Sequence, residues 1–129
     1  MGCQASWQNI FQFNFHRLPD FCEHCTVANT DPVRVGVLFS RAGVTSRVES
    51  SQLLGTFFAI REINEAGGID GREVVAVHYD PQCVPNNYCV LAEKLVQDDR
   101  VNVIFGGYMS SSRKAMIGVI EQWQRLLFY

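Results

Sequence analysis

The chain has 129 residues, of which 47% are hydrophobic, and this composition is sufficient for the core of one domain. The formal net charge is −2 and no basic stripe is present, so nucleic acid is not an expected partner. No apolar run approaches the roughly 18 residues of a membrane-spanning helix, which excludes a predicted membrane span.

Residues 1–31 are aromatic and polar, without a sustained period of 2 or 3.6. They lack a basic segment followed by an apolar one, so no signal peptide is predicted, and we interpret them as an irregular leader unrelated to the fold. The odd number of cysteines favours reduced thiols in a cytoplasmic protein. A zinc-bound interaction domain is an alternative hypothesis. Cys22 and Cys25 form one C-x2-C pair, and Cys83 and Cys89 would supply the two further thiolates of a four-thiolate site.

The regular pattern begins with Val33–Ser40, which is apolar at nearly every position and is typical of a strand buried on both faces of a parallel sheet. A loop follows, and then a helix that Ser50 or Ser51 is expected to cap. The core face of this helix is predicted from apolar residues at helical spacing: Leu53, Phe57 and Ile60, widened by Leu54, Phe58 and Ile63.

The rest of the chain repeats the alternation. Residues 74–79 predict a second strand, and a second helix is expected from about Tyr88 to Asp99. The run VNVIF predicts a third strand, a third helix begins near Ser111 with Trp123 on its core face, and LLFY begins a fourth strand. This order predicts an α/β fold with a doubly wound, open parallel sheet of strand order 2-1-3-4.

In such a sheet, ligands bind beyond the carboxyl ends of the strands, where the strand order reverses. That point lies between the first and third strands. The third strand ends at Gly106 and Gly107, which are expected to let a ligand approach the backbone. Tyr108 offers a flat wall, and Ser110 lies where free N–H groups at a helix start favour a carboxylate or an amide oxygen. The alternative is that Ser110 or Ser111 only caps the helix.

The loop after the first strand faces the same crevice. Ser40, Gly43 and Thr45 are candidate hydrogen-bonding positions for the same ligand, although as an isolated segment this loop is an ordinary turn. No nucleophile elbow, zinc-protease motif or phosphate-binding loop is present, so the chain is not predicted to be an enzyme, and no cofactor is expected.

Several motifs resemble the N-terminal lobe of type I periplasmic-binding-protein-like receptors: VGVLFS, AIREINEAGGIDGR, AEKLVQDDRV, YMSSSRKA and LLFY. The resemblance covers residues 32–129, about three quarters of the chain, and YMS-x-x-RKA is most similar to the amide and urea branch. It implies that Tyr108, Ser110 and Tyr129 line an amide pocket, with the loop from Ser40 to Thr45 facing the cleft. The second lobe of such receptors is not matched, so a truncated single lobe is expected.

The resemblance implies a cytoplasmic sensor of short-chain amides that regulates amidase expression by sequestering an antitermination protein. The alternative is the substrate-binding component of an ABC transporter for an amide, urea or a branched-chain amino acid. A periplasmic location would follow for the alternative if a signal peptide precedes the chain.

Overall fold

A computed structural model describes residues 31–129 of the chain. Strands and helices alternate along this part of the sequence. Their bounds are Val33–Leu38 (β1), Ser46–Glu65 (α1), Val74–Tyr79 (β2), Pro85–Gln97 (α2), Val103–Gly106 (β3), Ser110–Gln122 (α3) and Leu126–Phe128 (β4).

The four strands form one parallel sheet in the order β2-β1-β3-β4. In the central pair, Val35 lies opposite Val103 and Leu38 lies opposite Gly106. The predicted fold class and strand order are therefore confirmed, and β1 and β3 are neighbours although they are not consecutive. Their carboxyl ends meet at the point where the strand order reverses.

Two helices begin earlier than the sequence pattern indicates. The amide of Glu49 donates to the Thr45 carbonyl, so α1 starts a turn before Ser50, and Ser51 donates its hydroxyl to the Arg47 carbonyl within the helix instead of capping it. The capping prediction for Ser50 and Ser51 is wrong. Pro85 begins α2. Proline is tolerated at this position because the N–H groups of the first helical turn have no partner within the helix, so the missing N–H of proline costs no hydrogen bond.

The two faces of the sheet are covered unequally. Helices α2 and α3 pack on one face, where their side chains and the sheet form the larger core. The fully buried members of this core are Leu38, Tyr88, Ala92, Leu95, Val101, Ile104 and Met116. Right-handed crossovers place α1 on the opposite face, where Leu53 of this helix is buried with four residues of the sheet and its strand ends: Val35, Val37, Phe39 and Val74.

The α1 face is only partly closed. Leu53 is buried, but Phe57 is 38% exposed, Phe58 is 52% exposed and Leu54 is 69% exposed, so much of the predicted apolar stripe of this helix faces outward. Beside α1 lies a groove of about 550 Å³, lined mainly by apolar side chains that include Val103 and Phe105. The prediction of a wide core face on α1 is thus wrong, because no described element covers its outer side.

Trp123 follows the last residue of α3 and is also partly exposed, so its predicted place on the core face of that helix is not realised. His78 behaves as a satisfied polar group of the sheet, because its Nε2 lies 3.2 Å from the Phe39 carbonyl oxygen. Among residues 31–129, no helix combines the length and the apolar character that crossing a membrane requires.

Candidate functional site

The candidate site lies at the carboxyl ends of β1 and β3. The Gly107 amide donates to the Leu38 carbonyl at 3.3 Å, which brings the start of the β3–α3 loop against the end of β1. Gly106 has φ of +148°, and a Cβ at this position would overlap the Leu38 carbonyl. The contact between two strands therefore requires glycine at position 106. The expected approach of a ligand to Gly106 and Gly107 stays a prediction.

Arg113 contacts residues that follow β3 and a residue that follows β4. Its Nη1 donates to the carbonyls of Gly107 at 3.2 Å and Tyr108 at 2.8 Å, and its Nη2 donates to Ser110 Oγ at 2.9 Å. Its Cζ lies 4.3 Å from the centre of the Tyr129 ring. We call Tyr108, Ser110, Arg113 and Tyr129 the Arg113 cluster.

The Arg113 cluster is accessible. Ser110 is exposed, the Tyr108 side chain is 44% exposed and Tyr129 is 76% exposed. The three predicted site residues at this end of the sheet are therefore brought together and face solvent, and the residue that joins them was not recognised. An Arg three positions after a Ser at a helix start was the available signal, because such residues are neighbours on a helix surface.

Ser110 does not cap the helix. The N-cap position is occupied by Met109, which makes no side-chain capping bond, and Ser110 is the first residue of α3. The alternative assignment of Ser110 or Ser111 as a cap is wrong, because the Ser110 hydroxyl meets Arg113 instead. The first N–H groups of this 13-residue helix have no side-chain cap, and its positive end lies beside the exposed hydroxyl.

The loop after β1 contains a buried polar network. Glu49 is fully buried at the start of α1, and its Oε2 accepts hydrogen bonds from the Ser40 amide at 2.7 Å and from the Tyr88 hydroxyl at 2.8 Å. Its Oε1 accepts a hydrogen bond from the Thr45 hydroxyl. With Cys83, whose Sγ lies 2.9 Å from Thr45 Oγ1, these residues form the Glu49 network.

The direction of the hydrogen bonds in this network follows from the number of protons available. Tyr88 donates its one proton to Glu49, so the Ser40 hydroxyl, 2.8 Å away, must donate to the Tyr88 oxygen. Ser40 Oγ also accepts from the Cys83 amide at 2.8 Å. Burial is the main reason why the pKa of Tyr88 lies well above its ordinary value, and Glu49 raises it further while Ser40 opposes the shift.

Ser112 adds a hydroxyl from α3. It is fully buried and close enough to Tyr88 to make a small contribution that lowers the Tyr88 pKa. Within the described residues, however, its Oγ has no partner at hydrogen-bond distance. We therefore treat Ser112 as a neighbour of the Glu49 network and not as a member.

The predicted ligand contacts on this loop have different environments. The Ser40 and Thr45 hydroxyls are both engaged within the protein, and Ser40 is fully buried. Gly43 is exposed with φ of +93°, and a side chain there would meet Cys83. Their roles in binding stay predictions. Glu49 was not recognised, although it lies four residues before the buried Leu53 and so on the same side of α1.

Other parts of the described chain lack the features of a metal site. Cys83 and Cys89 are unpaired thiols, and no group of three or more His, Cys, Asp or Glu side chains within residues 31–129 is arranged to hold a metal. Cys22 and Cys25 of the zinc hypothesis lie outside the described residues. A polar cavity of about 500 Å³ at the opposite edge, lined by Arg34, Asp99 and Asn102, is remote from the strand ends where ligands bind.

The sequence was compared with known protein families and with curated proteins. The family model of the periplasmic binding protein domain matches residues 33–129. The Leu/Ile/Val/Thr-binding protein of Salmonella typhimurium is 32% identical over 95 residues, which cover 74% of this chain and 26% of that protein. A leucine-, isoleucine-, valine-, threonine- and alanine-binding protein of Pseudomonas aeruginosa is 30% identical over 91 residues, covering 70% of this chain and 24% of the relative.

Solved structures agree with this relationship. The branched-chain amino acid transporter substrate-binding protein LivJ of Streptococcus pneumoniae, solved with isoleucine, shares the fold with a TM-score of 0.73 and 24% identity, over 74% of this chain and 28% of that one. An ABC transporter substrate-binding protein of Sphaerobacter thermophilus gives a TM-score of 0.67 and 26% identity, over 74% of this chain and 25% of that one. The chain therefore spans about a quarter of the length of the proteins it matches.

Proposed function

Since this chain belongs to the periplasmic binding protein domain family, we propose that it provides one wall of a binding site for a small amino acid. The whole protein would then be the substrate-binding component of an ABC transporter. The relatives are binding proteins and not enzymes.

The observation that carries this proposal is the exposed Ser110 hydroxyl at the start of α3. It lies at the carboxyl end of the sheet, at a helix terminus without a side-chain cap, and the exposed Tyr108 and Tyr129 belong to the same Arg113 cluster. Helix termini of this kind bind carboxylates and carbonyl oxygens, and a tyrosine ring packs against an aliphatic side chain. An amino acid with a short apolar side chain has both features.

The names of the relatives favour the amino acid over an amide. Several curated relatives are described as binding leucine, isoleucine or valine. This wording applies to those proteins, and for the present chain it supports a ligand of the same class. Export from the cytoplasm would be required for this role, in contrast to the location expected from the sequence.

A second candidate is the cytoplasmic sensor of short-chain amides, or of urea, that acts on an antitermination protein. The exposed Tyr108 and Tyr129 of the Arg113 cluster support it, because a flat aromatic ring suits a small planar amide. In this case the amide carbonyl would accept the hydrogen bond of Ser110. The two candidates share the same contact and differ in the ligand that binds more tightly.

Isothermal titration of the 129-residue chain with L-leucine and with acetamide tests both candidates. We expect leucine to bind more tightly than acetamide. Ser110→Ala should weaken leucine binding by about 1–3 kcal/mol, because one hydrogen bond at the helix start is lost. Ser111→Ala is the matched control, since Ser111 is the exposed neighbour of Ser110 on α3.

The outcomes separate the candidates. Tighter binding of acetamide would support the amide sensor and overturn the amino-acid proposal. Binding of neither compound would contradict both. Equal affinity of the Ser110→Ala and Ser111→Ala variants for leucine would exclude the Ser110 hydroxyl as the contact.

A further inference from the structure

We infer that Arg113 determines which chemical group of the ligand meets Ser110, and that it selects a carboxylate over a neutral amide. The inference rests on the proposed binding function and adds a specificity-determining residue to it. Arg113 donates to Ser110 Oγ at 2.9 Å. A guanidinium has no acceptor, so the hydroxyl accepts this bond and its own proton is left to donate elsewhere.

The orientation of the Ser110 hydroxyl restricts the ligand. With one lone pair directed to Arg113, the hydroxyl keeps its proton and one further lone pair. The positive charge of the adjacent guanidinium favours an acceptor oxygen as its partner over a cationic donor. The uncapped N–H groups at the start of α3 have the same preference. An ammonium group would meet the positive charge of Arg113 and is disfavoured at this end of the site.

The guanidinium is held in place by three further contacts. Two carbonyls, those of Gly107 and Tyr108, accept from Nη1, and the guanidinium carbon lies over the Tyr129 ring, 4.3 Å from its centre. This combination of a fork of donors and a flat face is specific to arginine, since a lysine ammonium has neither. Arg113 is therefore fixed as a cation beside Ser110 before any ligand arrives.

The charge of Arg113 is not neutralised by its neighbours. Its partners in the part of the chain that the structure describes are carbonyls, a hydroxyl and a ring, and none is a carboxylate. A ligand carboxylate at Ser110 would supply the missing negative charge and form a charge-assisted contact, whereas an amide carbonyl would gain much less. The geometry thus favours the carboxylate of a free amino acid.

Affinities for L-leucine and L-leucinamide, which differ only in this group, test the inference on the full chain. The wild type should bind leucine more tightly. Arg113→Met removes the charge at similar length, and leucine affinity should fall about tenfold while leucinamide affinity stays the same or rises. Added salt should weaken leucine binding to the wild type but have little effect on Arg113→Met.

Two variants serve as controls. Lys114→Met removes the adjacent, exposed cation, which lies outside the Arg113 cluster, and should leave the preference unchanged. Arg113→Lys keeps the charge but loses the fork, so it should bind both compounds more weakly and still prefer leucine. If Arg113→Met does not fold, as judged by circular dichroism, Arg113→Lys and the salt dependence of the wild type decide the matter.

If Arg113→Met lowered the affinities for leucine and leucinamide by the same factor, Arg113 would only support the loop, and the inference would be overturned. A wild-type affinity that does not change with salt would also contradict it. Neither result affects the proposed function, which instead fails if the wild type binds none of these compounds.

Discussion

The loops that follow β1 and β3 leave the same edge of the sheet, but they use their hydroxyl groups in opposite ways. Ser40 is fully buried, and its hydroxyl is enclosed between the Cys83 amide and Tyr88. Ser110 is exposed and has Arg113 as its partner. The comparison teaches that the hydroxyl of a serine at a strand end is part of the protein scaffold when buried partners satisfy its hydrogen bonds. When they do not, the hydroxyl is available to a ligand.

The largest change in stability is expected for Glu49→Ala, which removes the central acceptor of the Glu49 network in the loop after β1. The Ser40 amide and the hydroxyls of Tyr88 and Thr45 would lose their acceptor in a buried site. We expect the free energy of unfolding to fall by on the order of 3 kcal/mol, measured by urea denaturation.

Glu62→Ala is the matched control for this substitution, because Glu62 is an exposed carboxylate on the same helix. Its effect should stay within about 0.5 kcal/mol. If Glu49→Ala prevents folding, Glu49→Gln keeps the shape and should be destabilised to a smaller extent. Similar stabilities of the Glu49→Ala and Glu62→Ala variants would contradict a structural role of the Glu49 network.

A smaller effect is expected when the two serines are compared directly. Ser40→Ala leaves the Cys83 amide without its acceptor and the Tyr88 oxygen without its donor, and should cost about 1–2 kcal/mol of unfolding free energy. Ser110→Ala removes an exposed hydroxyl and should change stability by less than about 0.5 kcal/mol. Thermal unfolding of both variants measures the difference, and equal losses would remove the distinction between the loops.

The smallest effect concerns alkaline pH. Because the pKa of Tyr88 is raised in the folded chain, the unfolded chain loses this proton first as the pH rises past about 10. Tyr88 should then reduce the unfolding free energy by about 1.4 kcal/mol per pH unit above that value and have no effect on its pH dependence near neutrality.

Tyr88→Phe isolates this contribution, since every other titrating group is common to both chains. Urea denaturation of the two proteins between about pH 9 and about pH 11 gives the comparison. The wild type should lose stability more steeply than the variant. If the unfolding free energies of the two proteins depended on pH in the same way, the Tyr88 hydroxyl would titrate alike in the folded and unfolded chains.

The sequence was sufficient to predict the strand order because the periodicity shows strands alternating with helices, and right-handed crossovers then restrict how the strands pair. It was less informative about the helix starts, since Pro85 and Thr45 act through local backbone geometry that periodicity does not describe. The width of the core face on α1 was overestimated, because Leu54 and Phe58 are as apolar as Leu53 and their burial depends on what packs over them.

The sequence located only part of the candidate site, and the binding role of its residues stays a prediction. The switch-point rule placed Tyr108 and Ser110 at the carboxyl edge of the sheet, where both are exposed. It could not distinguish them from Ser40, because the burial of that hydroxyl depends on Tyr88, which is distant in sequence. Arg113 and Glu49 were overlooked since charged residues on helices are usually solvated, and only tertiary contacts give these two a role.

Within residues 31–129, α1 is the one helix on the groove side of the sheet, and this has a consequence for the lifetimes of the two loops. With few buried anchors, α1 is the element that thermal motion should detach from the sheet first. Because Glu49 is part of α1, such local opening would carry the carboxylate away from Ser40 and Tyr88 while the contacts of Arg113 with the β3–α3 loop persist. The polar network that looks the more rigid would then be the shorter-lived of the two.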